Sequence, residues 1–302
     1  MHDIDHLCNG LSCNCEKVPE IVFKDSYLYT DSNTVSSRYS EQPWFVLGTS
    51  GHYHRQGDNN PVISQYYSFE ANEQGEQVVA VPDGCIDIVF GGGIDNPCAL
   101  VCGSKLEACI AGLKYKERYF GVRFAPGMIP SFLNIDAQDI LAKNIPLNEL
   151  VPGAEMLIEH IVNAESITDQ VSSFSHFFHT IVGRKFTALT LHTLHVIERT
   201  AGCIQINDLA SETGYTARTL QRQFRKETGM TPKMLCRIMR CQAALHAINH
   251  RGTVLFSALS QDLGFSDQAH FTREFSQLIH STPANYRQQV AIKPYSSYIF
   301  QH

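Results

Sequence analysis

Nowhere in this chain is there an uncharged apolar run approaching the about eighteen residues of a membrane-spanning helix, so no membrane partner is expected. The opening MHDIDHLCNGLSCNCEK likewise lacks a basic stretch followed by an apolar one, so the expectation is a soluble, cytoplasmic protein. Catalytic signatures are missing too: there is no G-x-S-x-G elbow, no Walker loop, no Rossmann fingerprint and no H-E-x-x-H. Gly91 to Asn96, GGGIDN, is a Gly-rich turn, but the stretch after it is not helical, which argues against a phosphate cradle. An enzyme is therefore not expected, nor a cofactor. Ten cysteines are present, but they are scattered over 302 residues with no export signal. That excludes the disulfide framework of a small secreted domain and leaves mostly thiols. Cys203, Cys236 and Cys241 lie in helical patterns and read as small core hydrophobes.

The chain does have 43% hydrophobic residues against 18% charged, enough for a full core over a length that suits two domains. The net charge of −6 conceals a split. Residues 1–200 carry 13 Lys+Arg against 24 Asp+Glu, a balance of −11, whereas residues 201–302 carry 11 against 6, a balance of +5. A basic module joined to an acidic one points to phosphate contact through the C-terminal part alone.

Residues 1–38 are polar and without periodicity, and read as a loosely attached segment. From Pro43 to Leu133, runs such as WFVLG, VISQYYSFE, CIDIVF and ERYFGVRF are rich in β-branched and aromatic residues between Gly, Pro, Asn and Asp clusters, the pattern of a sandwich or barrel. Helical spacing takes over in DAQDILAKN, PLNELVP, GAEMLIEHIVNA and TDQVSSFSHFFHTIVG. The expected architecture is α+β. A β-barrel-like sensor or dimerisation region with flanking helices spans residues 39–183, an all-α domain 184–292, and a tail 293–302.

The all-α part contains one unit written twice. Ile206 and Phe256, Leu209 and Leu259, Gly214 and Gly264, and Tyr215 and Phe265 lie fifty apart, and after the turn the offset becomes fifty-one, pairing Leu220 with Phe271, Arg222 with Arg273, Phe224 with Phe275 and Thr231-Pro232 with Thr282-Pro283. Each unit reads as a short helix, a Gly turn and a second helix opened by a capping residue, Thr216 in the first and Ser266 or Asp267 in the second. Leu220 and Phe224 share an inward face, leaving Arg218, Gln221, Arg222 and Arg225 outward. Arg pairs bidentately with guanine and Gln with adenine, so such a stripe suits base edges in a major groove of double-stranded DNA. In the second unit Phe271 and Phe275 point inward, and Gln268, Ala269, Thr272 and Arg273 outward with His270 at the margin. The long helix predicted over TPKMLCRIMRCQAALHAIN sets the spacing between the two readers, to be matched to grooves about 34 Å apart.

Over about residues 186–290 the chain resembles the AraC/XylS family of bacterial transcription regulators. The motifs are the LA-x3-GY turn ending at Tyr215, TLQRQFRKETGMTP, Arg240 with Ala244, GFSDQAHFTREF and TPANYR. The resemblance implies that the second helix of each unit enters adjacent major grooves. It makes Arg218, Gln221 and Arg222 base readers of the first unit, and Gln268, His270, Thr272 and Arg273 of the second. It also implies RNA polymerase as a partner and activation ahead of repression. The chain departs from the family pattern at His280, where Gly is usual, and at Ser260, where Ala is common. Upstream, PDGCIDIVF and GVRFAPGMIPSFLNID followed by IPLNEL resemble a β-rich sensor domain of one branch of the family. That implies a cupin-like barrel taking a small-molecule effector or forming a homodimer.

Two other groups are candidate sites. His52 and His54 alternate on an expected strand, the arrangement a cupin uses for metal, with Asp87 as a third ligand; no Glu follows at the expected place, so no metal is expected there. Cys8, Cys13 and Cys15, and separately Cys98, Cys102 and Cys109, are thiols that an oxidant or a soft metal would find. These groups leave two alternatives open: a regulator that senses redox state or metal through these cysteines, and, more remotely, a cupin-like metalloenzyme.

Overall fold

The computed structural model describes residues 40–72, 78–251, 254–292 and 295–302. Cys8, Cys13, Cys15 and the N-terminal segment lie outside the described residues. The first element is not the strand expected for WFVLG but a short helix, α1 (Pro43–Leu47). Pro43 presets the helical φ at its start, and the Gly48 N–H closes on Trp44 and Phe45 carbonyls, so local backbone geometry overrides β-propensity.

Strands β1 (Thr49–Gln56), β2 (Ile63–Ala71), β3 (Val79–Ala80), β4 (Asp87–Gly91), β5 (Cys98–Cys102), β6 (Cys109–Ile110) and β7 (Arg118–Phe124) follow. Then come α2 (Ala137–Ile140), β8 (Asn144–Pro146), α3 (Leu147–Leu150), α4 (Ala154–Asn163) and α5 (Ile167–Phe178). The sheet has the order β8-β5-β4-β7-β2-β1-β9, in which β9 is Ile299–Gln301, and β3 pairs separately with β6. This differs from the expected barrel, since the edges β8 and β9 are not paired to each other. The expected tail is different as well, because β9 adds parallel to β1 through Tyr53, His54 and Arg55.

Strand β7 is central and buried on both faces. Phe120, Val122 and Phe124 join Ile88, Phe90 and Val101 under α4 and α5, with Phe174 inserted among them. The opposite face carries Tyr53, Tyr67 and Phe69 beneath α1, together with the buried cation Arg123. Arg123 is 2% exposed and stands in register with Asp87 across the β4–β7 ladder. Its Nε and Nη2 donate to the two Asp87 oxygens at 2.8 and 2.7 Å, Nη1 donates to Ser40 Oγ at 2.6 Å, and the Asp83 carboxylate lies at 3.3 Å. Bidentate pairing with a second carboxylate nearby is what allows a guanidinium to remain so deep.

From this ion pair a run of polar contacts leads out of the sheet. Gln42 Nε2 donates to Asp83 Oδ2 at 2.9 Å and to the Val81 carbonyl at 2.8 Å, and the Val81 N–H donates back to Gln42 Oε1. The neighbouring Glu41 N–H donates to Gln242 Oε1 at 2.7 Å, and Gln242 Nε2 donates to the Pro82 carbonyl at 2.8 Å. Gln242 lies on the long helix α9 (Pro232–His250), as do His246, Asn249 and His250, all of which contact the Glu41 carboxylate. The β-rich region and the helices beyond it are thus hydrogen-bonded through buried groups.

Two outcomes are expected. Replacing Arg123 by Met leaves Asp87 and Asp83 buried without their cation, and chemical denaturation should show a loss of about 3–5 kcal/mol. The hydrogen bond to Glu41 raises the His250 pKa above the ordinary 6.5 against the lowering by burial and by Arg55. With the folded value raised, this tie is fully present below 6.5 and is lost as pH rises through the raised value. In EDTA, the melting-temperature gap between wild type and Glu41→Gln should therefore narrow as pH rises through that range.

Candidate nucleic-acid interface

After α5 the chain is pinned before it turns helical. The Arg184 N–H donates to the Ile129 carbonyl at 2.8 Å, and its guanidinium donates to the carbonyls of Leu133 and Ile135. Then come α6 (Ala188–Arg199), α7 (Ile206–Thr213), α8 (Ala217–Thr228) and α9, followed by α10 (Phe256–Asp262), α11 (Gln268–Ile279) and α12 (Pro283–Ile292). Helix α7 ends on Gly214 in the left-handed region, φ 70°, where a side chain would be strained. Thr216 then accepts the Thr219 N–H at 3.2 Å and starts α8. In the second pair, α10 reaches Gly264 and Asp267 caps α11, accepting the His270 N–H at 2.6 Å. Of Ser266 and Asp267, the second therefore supplies the cap. Two positions separate Gly214 from its cap and three separate Gly264 from Asp267, which is the inserted residue that shifts the repeat from fifty to fifty-one.

Packing orients both second helices. Leu220 and Phe224 are buried with Val196, Ile197, Leu209, Leu235 and Met239. Phe271 and Phe275 are buried with Leu245, Ile248, Leu259 and Tyr286. Rotating either helix would expose two large side chains at a cost of about 1.5–3 kcal/mol each, so the opposite faces are fixed outward. On α8, Arg218, Gln221, Arg222 and Arg225 are all exposed. On α11, Gln268 and Arg273 are exposed while His270 and Thr272 are half-buried. Thr272 Oγ1 donates back to the Gln268 carbonyl at 2.9 Å, and His270 Nδ1 lies 3.1 Å from Ser266 Oγ. The α11 face is therefore less charged and partly occupied by its own contacts.

The surplus of positive charge does not all face outward. Arg237 donates to Glu274 at 2.6 Å and to Gln277 at 2.8 Å, tying α9 to α11. Arg240 stacks over Phe265 at 4.6 Å and Arg287 over Phe256 at 4.7 Å. Arg237 and Arg240 hold the second pair onto α9, and Arg287 holds α12 onto α10, roles that composition alone does not reveal. The two departures from the family pattern are also accommodated. Ser260 Oγ donates to the Ser257 carbonyl at 2.7 Å, and His280 takes the left-handed conformation, φ 57°, that Gly would take. Its counterpart Gly229, φ 84°, has no such latitude, because a Cβ there would lie 2.3 Å from the Ala137 carbonyl oxygen of α2.

Elsewhere, the β-rich region meets the second pair through the Ala108 N–H, which donates to the Leu278 carbonyl at 2.9 Å. Beside this contact lies an open cavity of about 750 Å³, lined among others by Trp44, Ile110, Ile279 and Asn285. The His52, His54 and Asp87 group does not assemble. His52 and His54 stack at 6.1 Å on β1, His54 faces His302 at 2.7 Å, and Asp87 lies three strands away, committed to Arg123. Neither Cys98 nor Cys102 is activated: burial pushes Cys98 up and Cys102 up to about 12, the opposite of a reactive thiol. Cys109 is half-buried.

Residues 209–289 match the family described as Helix-turn-helix domain, and residues 60–146 match a domain of unknown function, DUF6597. The chain is 30% identical over 80 residues to the HTH-type transcriptional activator RhaS of Escherichia coli O157:H7, covering 26% of this chain and 28% of RhaS. It is 36% identical over 83 residues to the transposon Tn10 TetD protein of Escherichia coli, covering 27% of this chain and 59% of TetD. The chain thus spans less than two thirds of either relative. Among solved structures, ToxT from Vibrio cholerae is similar at 13% identity and a TM-score of 0.38 over 74% of this chain and 96% of its own. The DNA-binding domain of AdpA, solved with a target DNA, is similar at 21% identity and a TM-score of 0.32 over 35% and 96%.

Removing the α8 cap with Thr216→Ala should cost about 1 kcal/mol, read as a lower urea midpoint with an unchanged slope.

Proposed function

We propose that the chain is a sequence-specific transcription regulator of the AraC type that binds double-stranded DNA through α8 and α11, within the stretch that matches a helix-turn-helix domain. The observation that carries this reading is the α8 face. Arg218, Gln221, Arg222 and Arg225 stand exposed over the packed Leu220 and Phe224, at a helix whose entry is capped and whose rotation is fixed. Arg and Gln on one exposed face supply the donors and acceptors that read guanine and adenine in a major groove. Helix α11 offers Gln268 and Arg273, with His270 and Thr272 nearer the helix surface, and contributes less charge.

The β-rich region is the regulatory half. A small effector held in the open cavity would touch Ile110 of the small sheet together with Ile279 of α11 and Asn285 of α12. It would thereby shift the population of arrangements competent for DNA. Activation with RNA polymerase as partner is the favoured sign, in keeping with the activator RhaS over the matched segment. A homodimer would place two such domains on one promoter. A thiol sensor finds no support in Cys98 and Cys102, whose shifts run upward. A metalloenzyme at His52 and His54 finds none in their separation from Asp87.

Selection of bound duplexes from a random pool by the intact protein should enrich two short elements about one helical turn apart. Arg222→Ala should weaken binding to the selected site by about 1–3 kcal/mol and relax one base position. Uniform weakening on all sequences would demote Arg222 to a phosphate contact, and a pool with no enrichment at any effector concentration would sink the reading.

A further inference from the structure

On α9, His246 and His250 are four residues apart and share one face, their rings 4.5 Å apart. Into that face comes the carboxylate of Glu41, from a segment 205 residues earlier in the chain. One oxygen, Glu41 Oε1, lies 2.9 Å from His246 Nδ1 and 3.0 Å from His250 Nε2, and the three atoms are all within 4.8 Å of one another. We propose that Glu41, His246 and His250 form a binding site for a divalent transition-metal ion, Zn²⁺ by preference, that fastens the β-rich region to the helix joining the two helix-turn-helix pairs.

The donor set is the kind zinc takes where three protein groups bind and a fourth position is left to water. Tetrahedral ligation at ordinary Zn–N and Zn–O lengths separates ligand atoms by about 3.3 Å, so the two distances from Glu41 Oε1 to the imidazole nitrogens need open by only a few tenths of an ångström to admit the ion. The opening falls to the histidines, since His246 and His250 keep 31% and 35% of their side-chain surface. The carboxylate itself is already oriented. Asn249 Nδ2 donates to Glu41 Oε2 at 3.0 Å and leaves Oε1 to the histidines, and Asn249 is in turn fixed by the Tyr286 hydroxyl at 2.7 Å. A ligand held by outer hydrogen bonds of this sort is a familiar requirement of metal sites. Glu41 is also 6% exposed, a depth at which a carboxylate needs a compensating cation.

Protons and the ion compete for the same nitrogens. A neutral imidazole offers its lone pair once its proton sits on the other ring nitrogen, and a protonated one must release a proton. Occupancy should accordingly fall as protons displace the ion at lower pH. Cation binding stands apart from the DNA-binding reading; only its effect on regulation rests on that reading.

The test uses the full chain, stripped with EDTA and dialysed against Zn²⁺, beside Glu41→Gln and His250→Gln, with circular dichroism confirming that each variant is folded. Wild type should bind one equivalent more than either variant, and Zn²⁺ should raise its melting temperature but not theirs. Because cysteines also take zinc, Co²⁺ substitution identifies the ligands. The wild-type-minus-His250→Gln spectrum should show visible d–d bands without a thiolate charge-transfer band. Equal stoichiometry in wild type and folded variants, or a difference spectrum dominated by thiolate charge transfer, would overturn the proposal. Thermal stabilisation by Zn²⁺ that persists in both variants would do the same.

Discussion

A carboxylate withdrawn from water must find its solvation elsewhere, and the burial of Glu41 imposes that condition on the whole joint between sheet and helices. Its oxygens are met by His246, Asn249 and His250, and its backbone N–H by Gln242, all from α9. One residue on, Gln42 carries the same run to Asp83 and so to Arg123 in the centre of the sheet. Because unsatisfied buried polar groups cost more than satisfied ones gain, these contacts resist being broken one at a time. The joint therefore behaves as a fixed seat for α9. The two helix pairs, which pack against opposite ends of that helix, inherit its position.

Much of the helical half was legible because its rules are local. Leu220 and Phe224, then Phe271 and Phe275, announce their inward face by spacing alone, and Thr216 and Gly214 announce where helices stop and start. Even the one-residue insertion appears where repeat alignment puts it. The sheet half was legible in strand content but not in closure. Alternation says which residues share a face, not which strands lie side by side, and so an open sheet completed by residues 299–301 was beyond reach.

The joint was the least legible part. His246 and His250 are visible as a spaced pair, yet Glu41 lies in a segment with no pattern of its own, and only folding brings the three together. Charge counting failed for a related reason. Arg237, Arg240 and Arg287 raise the basic balance of the helical half as much as Arg222 does, but they are committed to Glu274, Phe265 and Phe256 inside the domain. Net charge reports a sum, and only packing says which cations remain available to a partner.

The parallel strand β9 on β1 bears on the order in which the protein is made. Among the described residues, the outer edge of β1 is paired at Tyr53, His54 and Arg55 by residues 299–301, which are synthesised after the whole run from α6 to α12. During translation the sheet thus emerges early with one unpaired border. The pairing with β9 spans a long sequence separation, which is slow to close. Ribosome-bound intermediates would carry an adhesive edge, so chaperone engagement in this protein should centre on β1 and not on the helical domain that follows it.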